Sequence, residues 1–382
     1  MRILILGGDG YLGWPTAMKF CAEGHEVCVA DSYLKRNLMR NTNSKPLFEV
    51  PKLDERVKIF HTLYDKSISY FETDLSIADN FFNIFKEFCP EVIIHYAEQP
   101  SAPLSMKSFK DAHLTFSNNL NVTFNCVWAM MKFAPNAHLI KLGTMGEYGT
   151  PNIDIPEGWI DIDHNGRRDK FLFPRAASSL YHTTKVLDTD LLWFYVRTYG
   201  LRVTDLMQGP VYGVFTAESS VDDRLKPHYS YDDIFGTVIN RFIVQAVMGI
   251  PLTVYGMGGQ TRGYINIVDT LNCIKLAMQE GAKSGELKIF NQVTETLSVK
   301  DIANLIKKSA NKMGINVEIN SVKNPRKEKE EHYYNPAYSS FRDLGLEPTL
   351  ISEDVVINLL KFVSDYRENI DPSIIAPRVI WN

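Results

Sequence analysis

The sequence predicts an α/β protein with a doubly wound, Rossmann-type parallel sheet and a smaller, discontinuous second domain towards the C-terminus. Strand-like apolar runs alternate with helical patterns through the first half of the chain, which is typical of a parallel sheet covered by helices. A glycine-rich loop, Gly7–Gly13, follows the first run and opens a helical pattern. We expect strands at Ile3–Leu6, Glu26–Ala30, Ile68–Glu72, Val92–Tyr96, His138–Leu142 and Arg202–Asp205.

Two long helices are expected between these strands, at about Asp111–Phe133 and Tyr181–Tyr199. Each carries large apolar residues on more than one face, namely Phe124, Trp128 and Met131 in the first and Leu187, Leu191 and Phe194 in the second. The extra apolar surface predicts a helix pair that meets its twin in a homodimer, with burial under the chain's own loops as the alternative.

Composition and charge exclude several classes of function. With 41 basic and 45 acidic residues among 382, the net charge of −4 argues against a nucleic-acid-binding surface. No apolar run is long enough to span a bilayer, and the chain enters a strand at once, so we expect neither a membrane span nor a signal peptide. The five scattered cysteines suggest free thiols in the cytoplasm and no metal site.

The glycine loop predicts a dinucleotide site. Gly7, Gly10 and Gly13 are spaced so that the backbone, with Tyr11 and Leu12 between them, can turn tightly and approach a pyrophosphate at a helix N-terminus. Asp31 at the end of the second strand is placed to bind both ribose hydroxyls and would repel a 2′-phosphate, which favours NAD over NADP.

Two further segments bear on this cofactor prediction. Lys35 and Arg36 lie near Asp31 and weaken the preference for NAD. Asp74 and Leu75 follow the third strand, where such folds often hold the adenine, although Asp74 is also a candidate helix N-cap.

Tyr181 and Lys185 are the candidate catalytic pair. They lie four residues apart, on one face of a helix, so that the ammonium favours the phenolate and lowers the pKa of the phenol. The pair can then take a proton from a sugar hydroxyl while the carbon gives hydride to a nicotinamide. Thr144, at the carboxyl end of the fifth strand, can hydrogen-bond the same hydroxyl. This spacing is common by chance, and only the glycine loop gives it weight.

The glycine loop, Thr144 and the Tyr181/Lys185 pair together resemble the extended short-chain dehydrogenase/reductases, which act on nucleotide sugars. The resemblance narrows to the UDP-sulfoquinovose synthases through longer motifs that run along the chain, namely Glu98–Pro103, Gly143–Ile155, His164–Arg167, Tyr181–His182, Gly259–Gly263, Asn324–Arg326 and Glu331–Tyr334. Met145 and Gly146 stand where the sugar-nucleotide 4,6-dehydratases usually carry an Asp-Glu pair, which argues against an ordinary dehydratase.

This resemblance implies conversion of UDP-glucose and sulfite into UDP-sulfoquinovose. Tyr181 takes the 4-hydroxyl proton, NAD takes hydride from C4, the 4-ketone allows elimination to a glucose-5-ene, sulfite adds at C6, and hydride returns. NAD should therefore stay bound through the cycle. Another nucleotide-sugar 4-epimerase or dehydratase, and a non-catalytic NAD-binding scaffold, remain as alternatives.

The resemblance also implies roles for individual residues. His182 is a candidate proton shuttle or a packing histidine, Glu147 a base or the partner of a cation, and Met145 a packing residue against the sugar. Further expected contacts with the cofactor are Tyr96, Asn118, Gln208 and Val211. Expected contacts with the UDP-sugar, besides Thr144, Tyr181 and Gln208, are Gln99, Thr237, Asn240, Thr253, Tyr255, Arg262 and Arg326.

One departure concerns the sulfur donor. Pro100 stands where plant-type members of the family have an arginine, so a cation must come from elsewhere, with Arg175, Arg167 or Lys170 as candidates. Sulfite could arrive free or from a partner protein, and the product could serve a sulfolipid or a glycan.

The domain boundaries follow from the same patterns. Residues 1–208, with returning segments at about 234–248 and 264–292, are expected to form the NAD-binding domain. Residues 209–233, 249–263 and 293–382 are expected to form the UDP-sugar-binding domain. Ser219–Asp233 and Pro325–Glu331 are predicted as surface loops.

Overall fold

The computed structural model describes residues 1–326 and 332–381. Its strands are β1 (Arg2–Leu6), β2 (Glu26–Asp31), β3 (Ile68–Glu72), β4 (Val92–His95), β5 (His138–Thr144), β6 (Trp159–His164), β7 (Arg167–Leu172), β8 (Arg202–Gln208), β9 (Val211–Tyr212), β10 (Leu252–Tyr255), β11 (Thr261–Asn266), β12 (Leu287–Gln292), β13 (Glu295–Ser298) and β14 (Ile319–Val322). Its helices are α1 (Gly13–Ala22), α2 (Leu34–Asn41), α3 (Leu53–Tyr64), α4 (Ala78–Phe88), α5 (Ala102–Ser105), α6 (Phe109–Phe133), α7 (Leu180–Tyr199), α8 (Val238–Met248), α9 (Ile267–Gln279), α10 (Val299–Lys312), α11 (Ser340–Asp343) and α12 (Glu353–Asp365).

A seven-stranded sheet in the order β3-β2-β1-β4-β5-β8-β12 forms the centre of the molecule. All of its neighbouring strands are parallel, which confirms the predicted doubly wound sheet. The chain reverses its direction of winding between β1 and β4, and the crevice at the carboxyl ends of those strands is where such sheets bind ligands.

The predicted strands and long helices are confirmed with small shifts at their ends. β5 and β8 extend to Thr144 and Gln208, further than expected, and β4 ends one residue early at His95. β5 and β8 are almost continuously buried because helices cover both faces of the sheet. Their apolar runs therefore identify them clearly in the sequence.

Apolar side chains form a separate core on each face of the sheet and a third core in the C-terminal lobe. One face packs on α4, α6 and α7 and the other on α1, α3 and α9. The third core gathers residues of α8, α10 and α12 with β10. Residues 234–248, expected as a returning segment of the NAD-binding domain, therefore belong by their packing to the C-terminal lobe, because the apolar face of α8 is covered by α10 and α12.

The first expected surface loop, Ser219–Asp233, was wrong over its second half. Residues 225–234 are buried, with Tyr229 and Tyr231 in the third core. Some polar groups of this segment have partners, since the Ser230 carbonyl accepts from the Asn240 amide at 3.0 Å and the Asp232 carboxylate accepts from the Ile234 N–H at 2.9 Å. The prediction for Pro325–Glu331 lies largely outside the described residues.

None of the helices in the described part of the chain has both the length and the apolar character that a membrane crossing requires.

Candidate active site

A cavity of about 410 Å³ opens at the carboxyl ends of the central strands. This volume lies within the range of ligand pockets in proteins. Most of the residues singled out from the sequence line it, namely Gly7, Gly10, Tyr11, Leu12, Gly13, Asp31, Lys35, Asp74, Leu75, Tyr96, Asn118, Thr144, Tyr181, Gln208, Val211, Thr237, Asn240 and Arg326.

The glycine loop has the geometry that a pyrophosphate requires. Gly7 has a φ of +87°, and a Cβ there would lie 2.9 Å from the backbone nitrogen of Ala97. A Cβ on Gly13 would lie 2.0 Å from the carbonyl oxygen of Gly7, so only glycine lets α1 start this close to the loop. The loop backbone is thus left bare at the wall of the cavity, and the residues present fit a dinucleotide.

Asp31 ends β2 at the rim of this loop. Its carboxylate accepts hydrogen bonds from the backbone N–H groups of Asp9 at 2.9 Å and Tyr33 at 2.7 Å. Burial, together with the nearby Asp9 carboxylate, raises the pKa of Asp31 to about 6. At neutral pH the group still bears mostly negative charge where a ribose would lie.

Arg36 does not line the cavity, contrary to the sequence prediction. Its guanidinium donates to both carboxylate oxygens of Asp9, each at 2.7 Å. Asp9 also pairs with Arg56, which is fully buried with its guanidinium 4.6 Å from the ring centroid of Trp14. Asp9 thus holds Arg36 among protein groups, away from a 2′-phosphate. Lys35 does line the cavity, but burial lowers the pKa of its ammonium.

Asp74 and Leu75 line the cavity beyond β3. The alternative role of Asp74 as a helix N-cap is wrong, since Ile77 occupies the N-cap position of α4. The Asp74 carboxylate instead accepts from the backbone N–H of Ser76 at 2.9 Å.

Two neighbouring elements bring the candidate catalytic residues together. Thr144, the last residue of β5, pairs in register with Gln208 of β8, and both face the cavity. Tyr181 lies in the first turn of α7, which Ser179 caps by accepting from the N–H of His182. The Tyr181 backbone N–H donates to the hydroxyl of Ser105 at 3.1 Å, which ties the start of α7 to α5.

Lys185 has a partner that was not assigned from the sequence. Its ammonium lies 6.0 Å from the ring centroid of Tyr181 and donates to a carboxylate oxygen of Glu98 at 2.6 Å. Burial and the Glu98 carboxylate raise the pKa of Tyr181, whereas the sequence predicted a lowering by Lys185. Glu98 follows β4 in a motif noted above, but only the fold brings it to Lys185.

His182 fills the space left by Gly146. A Cβ on Gly146 would lie 2.5 Å from the Nε2 and Cδ2 atoms of the imidazole, so any side chain there would displace the ring. The Nδ1 atom lies 3.0 Å from the Ser179 hydroxyl. Burial, with the positive charges of Arg326 and Arg262, lowers the pKa of His182 to about 3. The imidazole is therefore neutral at neutral pH.

Glu147 and Met145 lie beneath the cavity and are not among the described residues that line it, which agrees with the cation-pairing role offered for Glu147 and the packing role offered for Met145. The Glu147 carboxylate is fully buried, accepts from Lys141 at 3.3 Å and lies 3.6 Å from Arg175. It also accepts from the backbone N–H of Thr144 at 3.2 Å. Burial raises the pKa of Glu147, and the two cations oppose that rise. Met145 is buried in the core on this side of the sheet.

Four of the expected substrate contacts are not among the described residues that line the cavity, namely Gln99, Thr253, Tyr255 and Arg262. The Tyr255 hydroxyl accepts from Arg241 at 2.6 Å. Arg262 lies 3.1 Å from the Nε2 atom of His332 and donates to a backbone carbonyl. Tyr255 and Arg262 thus bind to neighbours within the C-terminal lobe, whereas the Gln99 amide donates to the Ser101 carbonyl at 3.1 Å and to the Thr115 hydroxyl at 2.8 Å.

The three cations considered as substitutes at Pro100 also lie elsewhere. Arg175 is held between Glu147 and Asp190, and Arg167 and Lys170 are exposed on β7. Among the described residues, the lysines and arginines that line the cavity are Lys35 and Arg326.

The class of NAD-dependent enzymes that act on nucleotide sugars is defined by two features found here. One is a parallel sheet with a glycine loop at its switch point, and the other is a threonine, a tyrosine and a lysine beside that loop. Comparison with known proteins agrees. The model of the "NAD dependent epimerase/dehydratase family" matches residues 3–291.

Curated relatives identify a narrower group. The chain is 44% identical over 380 residues to the chloroplastic UDP-sulfoquinovose synthase of Spinacia oleracea, covering all of this chain and 79% of that one. It is 42% identical over 385 residues to the UDP-sulfoquinovose synthase of Sulfolobus acidocaldarius, covering all of this chain and 98% of that one. The chain therefore belongs to the NAD dependent epimerase/dehydratase family and, within it, to the UDP-sulfoquinovose synthases.

Solved structures confirm the fold. The UDP-glucose 4-epimerase of Bifidobacterium longum in complex with NAD+ and UDP superimposes with a TM-score of 0.72. That comparison covers 97% of this chain and 100% of the epimerase, at 16% sequence identity.

Proposed function

We propose that this protein joins sulfite to the C6 carbon of UDP-glucose and releases UDP-sulfoquinovose. The observation that carries the proposal is the full-length likeness to two curated synthases of that sugar nucleotide. The sequence after Thr144 supports it, because Met145 and Gly146 carry no carboxylate where the sugar-nucleotide 4,6-dehydratases usually have an Asp-Glu pair.

In the first half of the reaction, Tyr181 accepts the proton of the 4-hydroxyl and Thr144 hydrogen-bonds the same oxygen. Bound NAD supplies the chemistry of accepting hydride from C4 and returning it at the end. Lys185 donates a hydrogen bond to Glu98, which holds its ammonium beside the Tyr181 ring. Burial and the Glu98 carboxylate favour the protonated phenol, so positive charge on the bound cofactor would be needed to lower its pKa before it could accept the hydroxyl proton.

In the second half, the 4-ketone makes the C5 hydrogen acidic. Loss of that proton and departure of the C6 hydroxyl, which takes up a proton and leaves as water, give the 5-ene. The sulfur lone pair of sulfite then forms the C–S bond at C6, and C5 takes up a proton. Neutral His182 provides a ring nitrogen beside Gly146 for these proton transfers.

The cofactor proposal extends to its binding mode. We expect NAD to contact the glycine loop, with Asp31 at the adenosine ribose and Asp74 and Leu75 near the adenine. Because the redox cycle closes, NAD should remain bound in the purified protein and be released on denaturation.

Mass spectrometry of UDP-glucose incubated with the protein, with and without sulfite, tests this function. The expected product appears only with sulfite and has the mass of the substrate with one hydroxyl replaced by a sulfonate. An isomer of UDP-glucose that forms equally without sulfite would instead identify a 4-epimerase, and no conversion at all would favour the scaffold alternative.

We also propose a homodimer formed through α6 and α7. Phe124, Trp128 and Phe194 expose 43%, 45% and 47% of their surfaces on these adjacent helices, and pairing with a second copy would bury them. All five cysteines are free, which suits a reaction in the reducing cytoplasm. Sulfite delivery by a partner protein stays a prediction.

A further inference from the structure

Residues 375–381 run from the third core to the wall of the cavity, and nothing in the proposed chemistry uses them. Ile375 is buried in the third core. Val379 and Trp381 are buried against Leu104 and Ile234, whereas Ile380 between them is 67% exposed. This alternation is that of an extended segment with one face on the protein.

Arg378 connects this segment to residues 232–236, called the wall here because Ile234, Phe235 and Gly236 line the cavity. Its backbone N–H and its Nε donate to the two carboxylate oxygens of Asp233 at 2.6 and 2.8 Å. Its remaining nitrogens donate to the Thr42 carbonyl at 2.9 Å and the Ser44 hydroxyl at 3.0 Å. One side chain therefore joins the loop after α2 to the wall.

The wall itself is held in a tight turn. The Asp232 carboxylate accepts from the backbone N–H groups of Ile234 at 2.9 Å and Phe235 at 3.0 Å. It also accepts from the Ser44 hydroxyl at 3.1 Å, so the same serine bonds both Asp232 and Arg378. Ile234 and Phe235 line the cavity, which means that a shift at Arg378 reaches its surface.

Trp381 connects the segment to Arg326. Its backbone N–H donates to the carbonyl of Pro325 at 2.9 Å. Its ring lies beneath the Arg326 guanidinium, with 5.7 Å between the guanidinium carbon and the ring centroid. An arginine otherwise samples many rotamers, and a cation–π contact of this kind removes part of that freedom before a ligand binds.

We infer that Arg378 and Trp381 are positioning residues for the nucleotide-sugar half of the cavity. Through Arg326 and the 232–236 wall they set the shape that receives the diphosphate of a uridine nucleotide. The glycine loop, Asp31 and Asp74, which form the dinucleotide half, are fixed by the central sheet instead. The inference rests on the proposed function in one respect, the choice of a uridine nucleotide as ligand.

Binding of UDP itself, measured by titration calorimetry on the purified NAD-loaded protein, tests the inference without requiring turnover. Trp381→Ala and Arg378→Gln are expected to raise the dissociation constant for UDP roughly tenfold. Trp381→Phe, which keeps a ring under Arg326, should recover most of that loss. Ile380→Ala is the matched control and should bind UDP as the parent does.

A loss of UDP affinity without a loss of NAD distinguishes a positioning role from general destabilisation of the protein. The NAD content of each variant, released by denaturation and quantified, should equal that of the parent, and KM for UDP-glucose should rise with little change in kcat. Equal UDP affinity in parent, Trp381→Ala and Arg378→Gln would overturn the inference, as would a parallel loss of NAD and UDP. A parent that does not bind UDP would refute the proposed function itself and, with it, this inference.

Discussion

At the scale of single residues, the chemistry depends on how Tyr181 is surrounded. Lys185 lies beside it, but the ammonium is bound to Glu98 at 2.6 Å and so cannot act on the phenol alone. Burial and the Glu98 carboxylate both raise the pKa of Tyr181. Both effects favour the protonated phenol, and positive charge brought by a ligand would oppose them.

Replacement of the phenol tests its role directly. Tyr181→Phe removes the proton acceptor while keeping the ring, so kcat should fall by about 10²- to 10⁴-fold. The NAD content after denaturation should stay at the parent value, because other residues form the dinucleotide site. Tyr199→Phe, the same change at an exposed position of α7, serves as control. A Tyr181→Phe variant with parental kcat would exclude the phenol as the base.

The Glu98–Lys185 pair makes a prediction about pH. Glu98 raises the pKa of Tyr181, so Glu98→Gln lowers that pKa. A base works in its deprotonated form, and the rising limb of kcat/KM against pH should therefore move to lower pH. Glu87→Gln, on the exposed side of α4, should leave the profile in place. A limb that stays fixed or moves to higher pH in Glu98→Gln would contradict the account.

At the scale of elements, the junction of β5 with α7 determines the shape of the sugar end of the cavity. Lys141 of β5 donates to the Lys185 carbonyl at 3.2 Å and to the Thr189 hydroxyl at 2.9 Å on α7. It also lies 3.3 Å from the carboxylates of Glu147 and Asp205. Buried charges of this kind are costly unless paired, so their role here is to fix Thr144 and Lys185 relative to each other.

The same junction predicts a coupling between Gly146 and His182. Gly146→Ala would place a methyl group 2.5 Å from the imidazole and should lower the free energy of unfolding by about 1–3 kcal/mol. In Gly146→Ala/His182→Ala the added methyl group has room, so the double variant should recover part of that loss. Denaturant unfolding of the four proteins in this cycle measures the coupling, and strictly additive effects would show that the two positions are independent.

At the scale of the whole molecule, the order of the strands creates the crevice, and much of it was predictable. The β1-α1-β2 unit and the central strands were located because buried parallel strands are short continuous apolar runs. Asp31, Thr144 and Tyr181 were predicted as site residues because of their positions. The first two end strands of the sheet, and Tyr181 lies at the start of a helix.

The remaining features of the site and of the C-terminal lobe could not be predicted without the three-dimensional structure. Glu98 and Lys185 are 87 residues apart in the chain, and no local pattern reveals that they pair. Arg36 and Asp31 are close in sequence, yet Asp9 on the glycine loop holds the arginine away from the cavity. The segment 225–234 was taken for an exposed loop because its composition is polar, although its two tyrosines are buried in the third core.

The proposed dimer makes a prediction at this scale too. Trp128→Glu introduces a charge on the exposed apolar surface of α6 and α7 and should convert a dimer into a monomer in light scattering after size-exclusion chromatography. Leu63→Glu, at an equally exposed leucine on α3, is the control and should leave the dimer intact. A parent protein that is already monomeric would refute the proposed interface.

The most direct test of the central claim follows a single hydrogen atom. UDP-glucose carrying deuterium at C4 is incubated with sulfite and the protein, and the product is analysed by mass spectrometry and NMR. The account predicts a C6 sulfonate that retains the deuterium at C4, because the hydride removed there returns to the same carbon. A sulfonated product that has lost this deuterium to solvent, or deuterated sugar without sulfonate, would contradict it.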